Sequence, residues 1–322
     1  MTALLLRRLA ASLLLLFLVL TATFFLIHLA PGDPTVLLSG DRMQASVAER
    51  LRSVYGLDRP LREQYLTWLR SVVLEGDWGV SLIHGRPVVD LLAEALPATA
   101  LLAFAALLVQ YAVGLPLGVA AARRRGRPAD IVIRVVSLVL YSMPLFWLGL
   151  MAILLFAYAW PALPPSHMRS VGAGELGPWA RGGDLLLHLV LPALTLGLGM
   201  AGGTVRFVRN RMIEVLEEDY IRTARAKGLS ERRVVWVHAL RNALVPIVQL
   251  LGLSIPFLLN GSLIVEVVFS WPGLGRTTFQ AIVARDFPVI LAATAFTAAL
   301  VVAGNLLADL LHAAVDPRVR RA

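Results

Sequence analysis

The sequence predicts an all-α, polytopic membrane protein with six spans, and three observations carry that prediction. Hydrophobic residues fill 58% of the 322 positions and charged residues 16%, against roughly 25% charged in an ordinary soluble domain. Six apolar runs reach or approach the roughly 20 residues that a bilayer-spanning helix needs. Most of the 30 basic residues fall beside alternate run ends, as the rule that positive charge stays inside requires.

The runs are Leu9–Leu29, Ala98–Ala122, Val135–Trp160, Leu185–Val205, Ala243–Phe269 and Val289–Leu311. They contain Pro116, Pro144, Pro192, Pro246 and Pro256, which spanning helices tolerate because neighbouring groups re-satisfy the freed carbonyls. The first run follows Arg7-Arg8 as a secretory signal would. Its apolar length exceeds the usual 7–15 residues of a cleavable core, which predicts a retained helix.

Placing the N-terminus inside puts Arg7, Arg8, Arg123, Arg124, Arg125, Arg127, Arg134, the bases between Arg206 and Arg241, and Arg318, Arg320 and Arg321 on the cytoplasmic side. Both termini are then cytoplasmic. Because this charge is divided among separate inner segments, it reads as topology signals and not as a continuous nucleic-acid stripe.

The segment 30–97, between the first two runs, is expected to be extracytoplasmic and helical. Val47, Leu51, Val54 and Tyr55 recur at helical spacing, as do Leu61, Tyr65, Trp68, Leu69 and Val72. Gly56 to Pro60 reads as a turn, and Gly76, Gly79 and Gly85 mark a loop. Pro87 suits the first turn of a helix, and Val88 to Leu96 reads as an amphipathic segment at the interface. Two readings stay open for this region: a cap that shields the bundle, or a docking surface for a soluble partner.

Some chemistries lack their residues. With no cysteine, disulfides and thiolate metal sites are excluded. The lone lysine, Lys227, follows Ala226 and sits in no phosphate-binding glycine loop, so any nucleotide that drives this chain must bind another subunit. The six histidines are scattered, with no H-E-x-x-H or G-x-S-x-G pattern, and a non-catalytic, metal-free chain is expected. The middles of the runs are almost free of charge, whereas secondary transporters usually hold ionisable groups there. The polar residues in the runs are neutral. Gln110, Ser142, Gln249, Ser254 and Asn260 are candidates for a translocation path, as against interhelical hydrogen bonds alone.

The most charged stretch, DYIRTARAKGLSERRVVWVHALRNALVP at 219–246, reads as helix, glycine turn, helix. Gly228 is a natural C-cap and Ser230 a natural N-cap. Arg225 and Lys227 sit in the last turn, where the helix dipole favours cations. The small Thr223, Ala224 and Ala226 suit close approach to a partner, and Tyr220 and Ala224 share one face. Ala224, Gly228 and Val234 also fit a DNA-binding helix-turn-helix spacing, but spans flank the element too closely for a DNA module.

That stretch resembles the cytoplasmic coupling loop of bacterial ABC importer permeases. More closely, it resembles the first permease subunit of dipeptide, oligopeptide and nickel importers. The general family loop has Glu where Arg222 stands, Ala where Thr223 stands and Pro where Arg241 stands. Further likeness lies in APGDP at 30–34, YGLDRPLREQYLTWL at 55–69, GDWGVS at 76–81, LPALTLGL at 191–198, VFSWPGLGR at 268–276 and ARDFPVI at 284–290.

The resemblance implies a type I ABC importer permease (MetI-like) fold in the bacterial inner membrane. The partners it implies are a second homologous permease, two ATPases that carry ATP and Mg, an extracytoplasmic solute-binding protein and membrane lipids. It places Asp219, Tyr220, Thr223, Ala224, Lys227, Gly228 and Leu229 against an ATPase. Glu266, Trp271, Pro272 and Gly273 are candidates for an outer gate or docking element, or for a mere anchoring turn. The expected organisation is a first span at 1–29, the helical segment at 30–97, a transmembrane domain at 98–312 with its coupling loop at 206–243, and a tail at 313–322. A transporter or channel working alone is the alternative, and the solute is open among dipeptides, oligopeptides, nickel complexes and glutathione-like molecules.

Overall fold

The computed structural model describes residues 2–29, 58–244, 254, 258 and 262–315, with side chains placed for 10–29, 58–244, 254, 258 and 262–306. In chain order the helices are α1 (Thr2–Leu29), α2 (Leu61–Arg70), α3 (Val88–Arg123), α4 (Pro128–Ser142), α5 (Leu145–Ile153), α6 (Pro178–Leu216), α7 (Asp219–Ala226), α8 (Glu231–Arg233), α9 (Leu274–Val283) and α10 (Phe287–Val315). Wider π-helical turns extend α2 through Glu75, α5 through Ala159 and α8 through Ala239. Residues 262–268 are helical as well. The chain divides into two compact units, Met1–Pro97 with Gly273–Val302, and Ala98–Pro272 with Ala303–Ala322.

Among the described residues, four stretches are by length and composition able to cross a membrane: Ala10–Leu29, α3, α6 and Phe287–Leu306. The third expected span is broken. α4 and the α5 segment through Ala159 pass the same test only together, and they are bent by 100°. The break has a local cause. Met143 precedes Pro144 and is extended, at φ −73° and ψ 134°; a proline ring clashes with an α-helical residue before it and cannot donate a backbone hydrogen bond. Pro192 sits inside α6 without ending it. Most of the fifth expected span, Ala243–Phe269, lies outside the described residues, together with Pro246 and Pro256. So does the predicted helical pattern at 47–55. Val88 to Leu96 forms the start of the continuous helix α3.

In the first unit, Tyr65 and Trp68 of α2 pack on Phe24 of α1, and Thr21 Oγ1 lies 2.9 Å from the Tyr65 hydroxyl. The loop after α2 turns on Gly76, Gly79 and Gly85, all at positive φ. Val88, Leu92 and Ala95 recur on one face of α3 and pack with Leu274, Ala281, Val289, Ile290, Ala292 and Ala293. The turn before α10 is held by Asp286. Its carboxylate accepts hydrogen bonds from Ser81 Oγ at 2.5 Å and from the backbone N–H of Leu82 at 3.1 Å. GDWGVS and ARDFPVI, far apart in sequence, thus meet at one buried hydrogen-bond node.

In the second unit α6 is the central element, and its glycines allow other backbones close. A Cβ at Gly202 would stand 2.2 Å from the Ser137 carbonyl of α4, and one at Gly197 2.7 Å from the Ala106 carbonyl of α3. From the other side, Gly114 and Gly118 of α3 face Thr204 and Val208 of α6. Small residues at four-residue spacing let apolar helices pack where no hydrophobic drive from water exists.

Candidate coupling surface and polar seam

α6 ends at Leu216, and a two-residue link, Glu217 and Glu218, leads into α7. The charged stretch is therefore two helices. α7 ends where Gly228 takes the left-handed conformation, φ +79°, which a residue without Cβ adopts at no steric cost. Ser230 occupies the N-cap position of α8, but its side chain makes no capping hydrogen bond among the described residues. Arg225 joins the two arms instead, donating to both carboxylate oxygens of Glu231 at 3.1 and 2.9 Å. This hydrogen bond, chiefly, holds the Glu231 carboxyl below the ordinary glutamate value. Asn242 Nδ2 donates to the Tyr220 hydroxyl at 2.7 Å, linking α7 to the helix that leaves the loop.

α7 is two-faced. Ile221 and Ala224 are buried with Val119 and Ala122 of α3, Val208 and Met212 of α6, and Val234, Val235, Ala239 and Ala243. Asp219, Tyr220, Thr223, Lys227 and Gly228 are exposed, and Leu229 is half-buried. Ala224 thus faces its own chain. Although Tyr220 and Ala224 are one turn apart, their environments differ, and Ala224 seats the helix in its socket instead of offering a surface.

Of the path candidates, Gln110 and Ser254 come together. Gln110 Nε2 donates to Thr204 Oγ1 at 2.9 Å and to Ser254 Oγ at 3.3 Å. The Tyr111 hydroxyl lies 3.4 Å from Ser254 Oγ. Gln110 is buried, and its Oε1 has no hydrogen-bond partner among the described residues. An uncharged polar seam therefore ties α3, α6 and the segment at 254, with one acceptor left over. Ser142 lies apart, exposed at the end of α4, while Gln249 and Asn260 lie outside the described residues. Thr204 and Tyr111 were not singled out from sequence, because their partners Gln110 and Ser254 lie 94 and 143 residues away along the chain.

The gate candidates fall in both units and are placed separately. In the second unit Glu266 is fully buried and accepts a hydrogen bond from Thr99 Oγ1 at 2.8 Å. Trp271, also fully buried, donates its indole N–H to the Ala98 carbonyl at 2.8 Å, and Pro272 is exposed. Gly273, in the first unit, is the N-cap of α9.

Sequence reasoning missed Asp130, in the first turn of α4. Its fully buried carboxylate accepts Arg209 Nε at 2.7 Å and Nη2 at 2.8 Å, as well as the Gly126 N–H at 3.0 Å. The only sequence signal was an acid alone within the Arg123–Arg134 cluster.

Long apolar helices packed through glycine, an uncharged seam between them and a surface helix socketed at one end describe a multi-pass membrane protein. The chain belongs to the family of binding-protein-dependent transport system inner membrane components, which residues 114–321 match. Residues 1–103 match the N-terminal part of such membrane components. It is 38% identical over 320 residues to the oligopeptide transport system permease protein AppB of Bacillus subtilis (strain 168), covering 99% of each chain. It is 40% identical over 315 residues to the dipeptide transport system permease protein DppB of Escherichia coli (strain K12), covering 92% of this chain and 93% of that one. Among solved structures, an inward-facing conformation of the MetNI methionine ABC transporter superposes with a TM-score of 0.58. That match is at 20% identity over 70% of this chain and 97% of that chain, a likeness of fold.

Proposed function

We propose that this chain is a pore-forming permease subunit of an ATP-driven importer for dipeptides or oligopeptides, with six spans and both termini in the cytoplasm. Its partners are a second homologous permease, two cytoplasmic ATPases that bind ATP and Mg, and an extracytoplasmic solute-binding protein. The observation that carries the reading is the two-faced α7. One face is fixed in the chain's own core, and the other presents Asp219, Tyr220, Thr223, Lys227 and Gly228. A helix so mounted passes force from an ATPase cleft into the bundle without deforming. The peptide transport permeases among its relatives, similar over nearly their whole length, support the choice of cargo.

Gln110 and Ser254 are assigned to the path, where neutral donors and acceptors meet a peptide backbone without binding an ion. Glu266 and Trp271, both buried, set the turn before Pro272 and Gly273, and of these four Pro272 is the residue left to meet a partner.

The test is reconstitution of the whole complex in liposomes with a labelled dipeptide. Uptake requires ATP, the binding protein and this chain together. Gly228→Pro, which cannot adopt positive φ, leaves insertion intact and separates ATP hydrolysis from uptake. Dipeptide uptake without any ATPase would overturn the reading in favour of a transporter working alone.

A further inference from the structure

We propose that the turn between α3 and α4, residues Arg123–Arg127, is a follower of the coupling helix, clamped so that the ends of α3, α4 and α6 move with α7 as one body. The inference rests on the coupling role proposed above and deepens it. Two ion pairs make the clamp. Asp130 and Arg209 form a two-pronged pair between α4 and α6, with the carboxylate fully buried. Arg125 reaches from the turn to Glu217, in the link between α6 and α7, at 2.5 Å.

The pairs differ in kind. Arg125 and Glu217 are mostly exposed, and such a pair contributes little alone. The Asp130 carboxylate is enclosed by donors: Arg209 from α6, the Gly126 N–H from the turn, and Arg134 Nε at 3.4 Å from the next turn of α4. A planar guanidinium gripping a carboxylate with two parallel bonds fixes orientation as well as distance. Removing one partner strands a buried charge.

Packing agrees with the charges. Gly202 admits the Ser137 carbonyl of α4 on one side of α6, and Gly118 of α3 admits Val208 beside Arg209. The apolar cluster then runs without interruption from Val119 and Ala122 through Met212 to Ile221 and Ala224. A push on α7 therefore meets a block of three helix ends instead of a hinge. Asp130 and Arg209 are positioning residues: they touch no cargo and set how the stroke is divided.

The experiment uses the complete complex in liposomes. The chain has no cysteine, so spin labels can be placed at Arg124→Cys in the turn and Ala226→Cys in α7, both exposed and neither a member of the two ion pairs nor of the proposed ATPase contact. The distance between them, measured with and without ATP, is expected to stay within the width of its distribution. A displaced distance on ATP binding would overturn the proposal. In a second arm, Asp130→Asn is expected to retain ATP hydrolysis while uptake of labelled dipeptide per ATP falls about tenfold, and Asp130→Glu to recover most of it. Unchanged uptake per ATP in Asp130→Asn would count equally against the clamp. If Asp130→Asn does not assemble, the distance arm still decides on the intact pair. Failure of the peptide reading would show separately, as a parental complex that takes up no dipeptide.

Discussion

Asn242 and Tyr220 are joined by a 2.7 Å hydrogen bond across 22 residues, so the segment that follows the Gly228 turn holds the exposed edge of α7. The bond is solvent-exposed, and its loss costs stability no more than about 1 kcal/mol. It ties the exposed edge of α7, whose other face is seated in the apolar cluster, to the segment after the loop. Tyr220→Phe is expected to leave thermal stability in detergent nearly unchanged while lowering ATP-driven uptake severalfold. A parental uptake rate would show that α7 is held by its apolar face alone.

Gly202 and Gly203 are neighbours with opposite prospects. A Cβ at Gly202 meets backbone 2.2 Å away, whereas one at Gly203 meets the Tyr141 ring at 3.5 Å, an ordinary contact. Gly202→Ala must push α4 from α6 and should destabilise by about 1–3 kcal/mol or more. Gly203→Ala should be nearly neutral. Melting temperatures of the two purified variants check the contrast.

Asp286 accepts hydrogen bonds from the Ser81 hydroxyl and from the loop backbone in a buried position. Asp286→Ala leaves those donors unpaired, at about 1–3 kcal/mol for each buried group. Ser81→Ala removes one donor and should cost less. The expected order of melting temperature is parent, Ser81→Ala, Asp286→Ala.

Arg225 and Glu231 predict a pH dependence of one sign. The Glu231 carboxyl is lowered in the fold, so the pair's contribution is present above the ordinary glutamate value. It is lost as pH falls through the lowered one. Both groups are partly exposed, which keeps the effect below about 1 kcal/mol. Amide exchange at Lys227–Ser230, corrected for intrinsic rate, should be constant from about pH 8 to 5 and faster below the glutamate range. Glu231→Gln should show the faster exchange throughout.

Hydropathy made the long spans legible, because a helix of apolar residues needs no distant partner to declare itself. The end of α7 was legible too, since Gly228 marks a left-handed turn locally. What stayed hidden was set by partners far along the chain: Asp130 finds Arg209 79 residues later, and Ser81 finds Asp286 205 residues later. Pro144 and Pro192 looked alike in sequence. α6 stays continuous through Pro192 among the buried Leu191 and Ala193, whereas Pro144 sits exposed at a break. Nor could spacing alone show that Ala224 turns inward while Tyr220 stays outside.

The inward seat of Ile221 and Ala224 bears on transplantation. Residues 219–229 moved by themselves into another permease would arrive without Val119, Met212 and Val234, the neighbours that shape their bed. On the proposed coupling role, a working chimera has to carry that bed along with the knuckle, so swapping engines between importers means exchanging whole helix ends and not a short surface peptide.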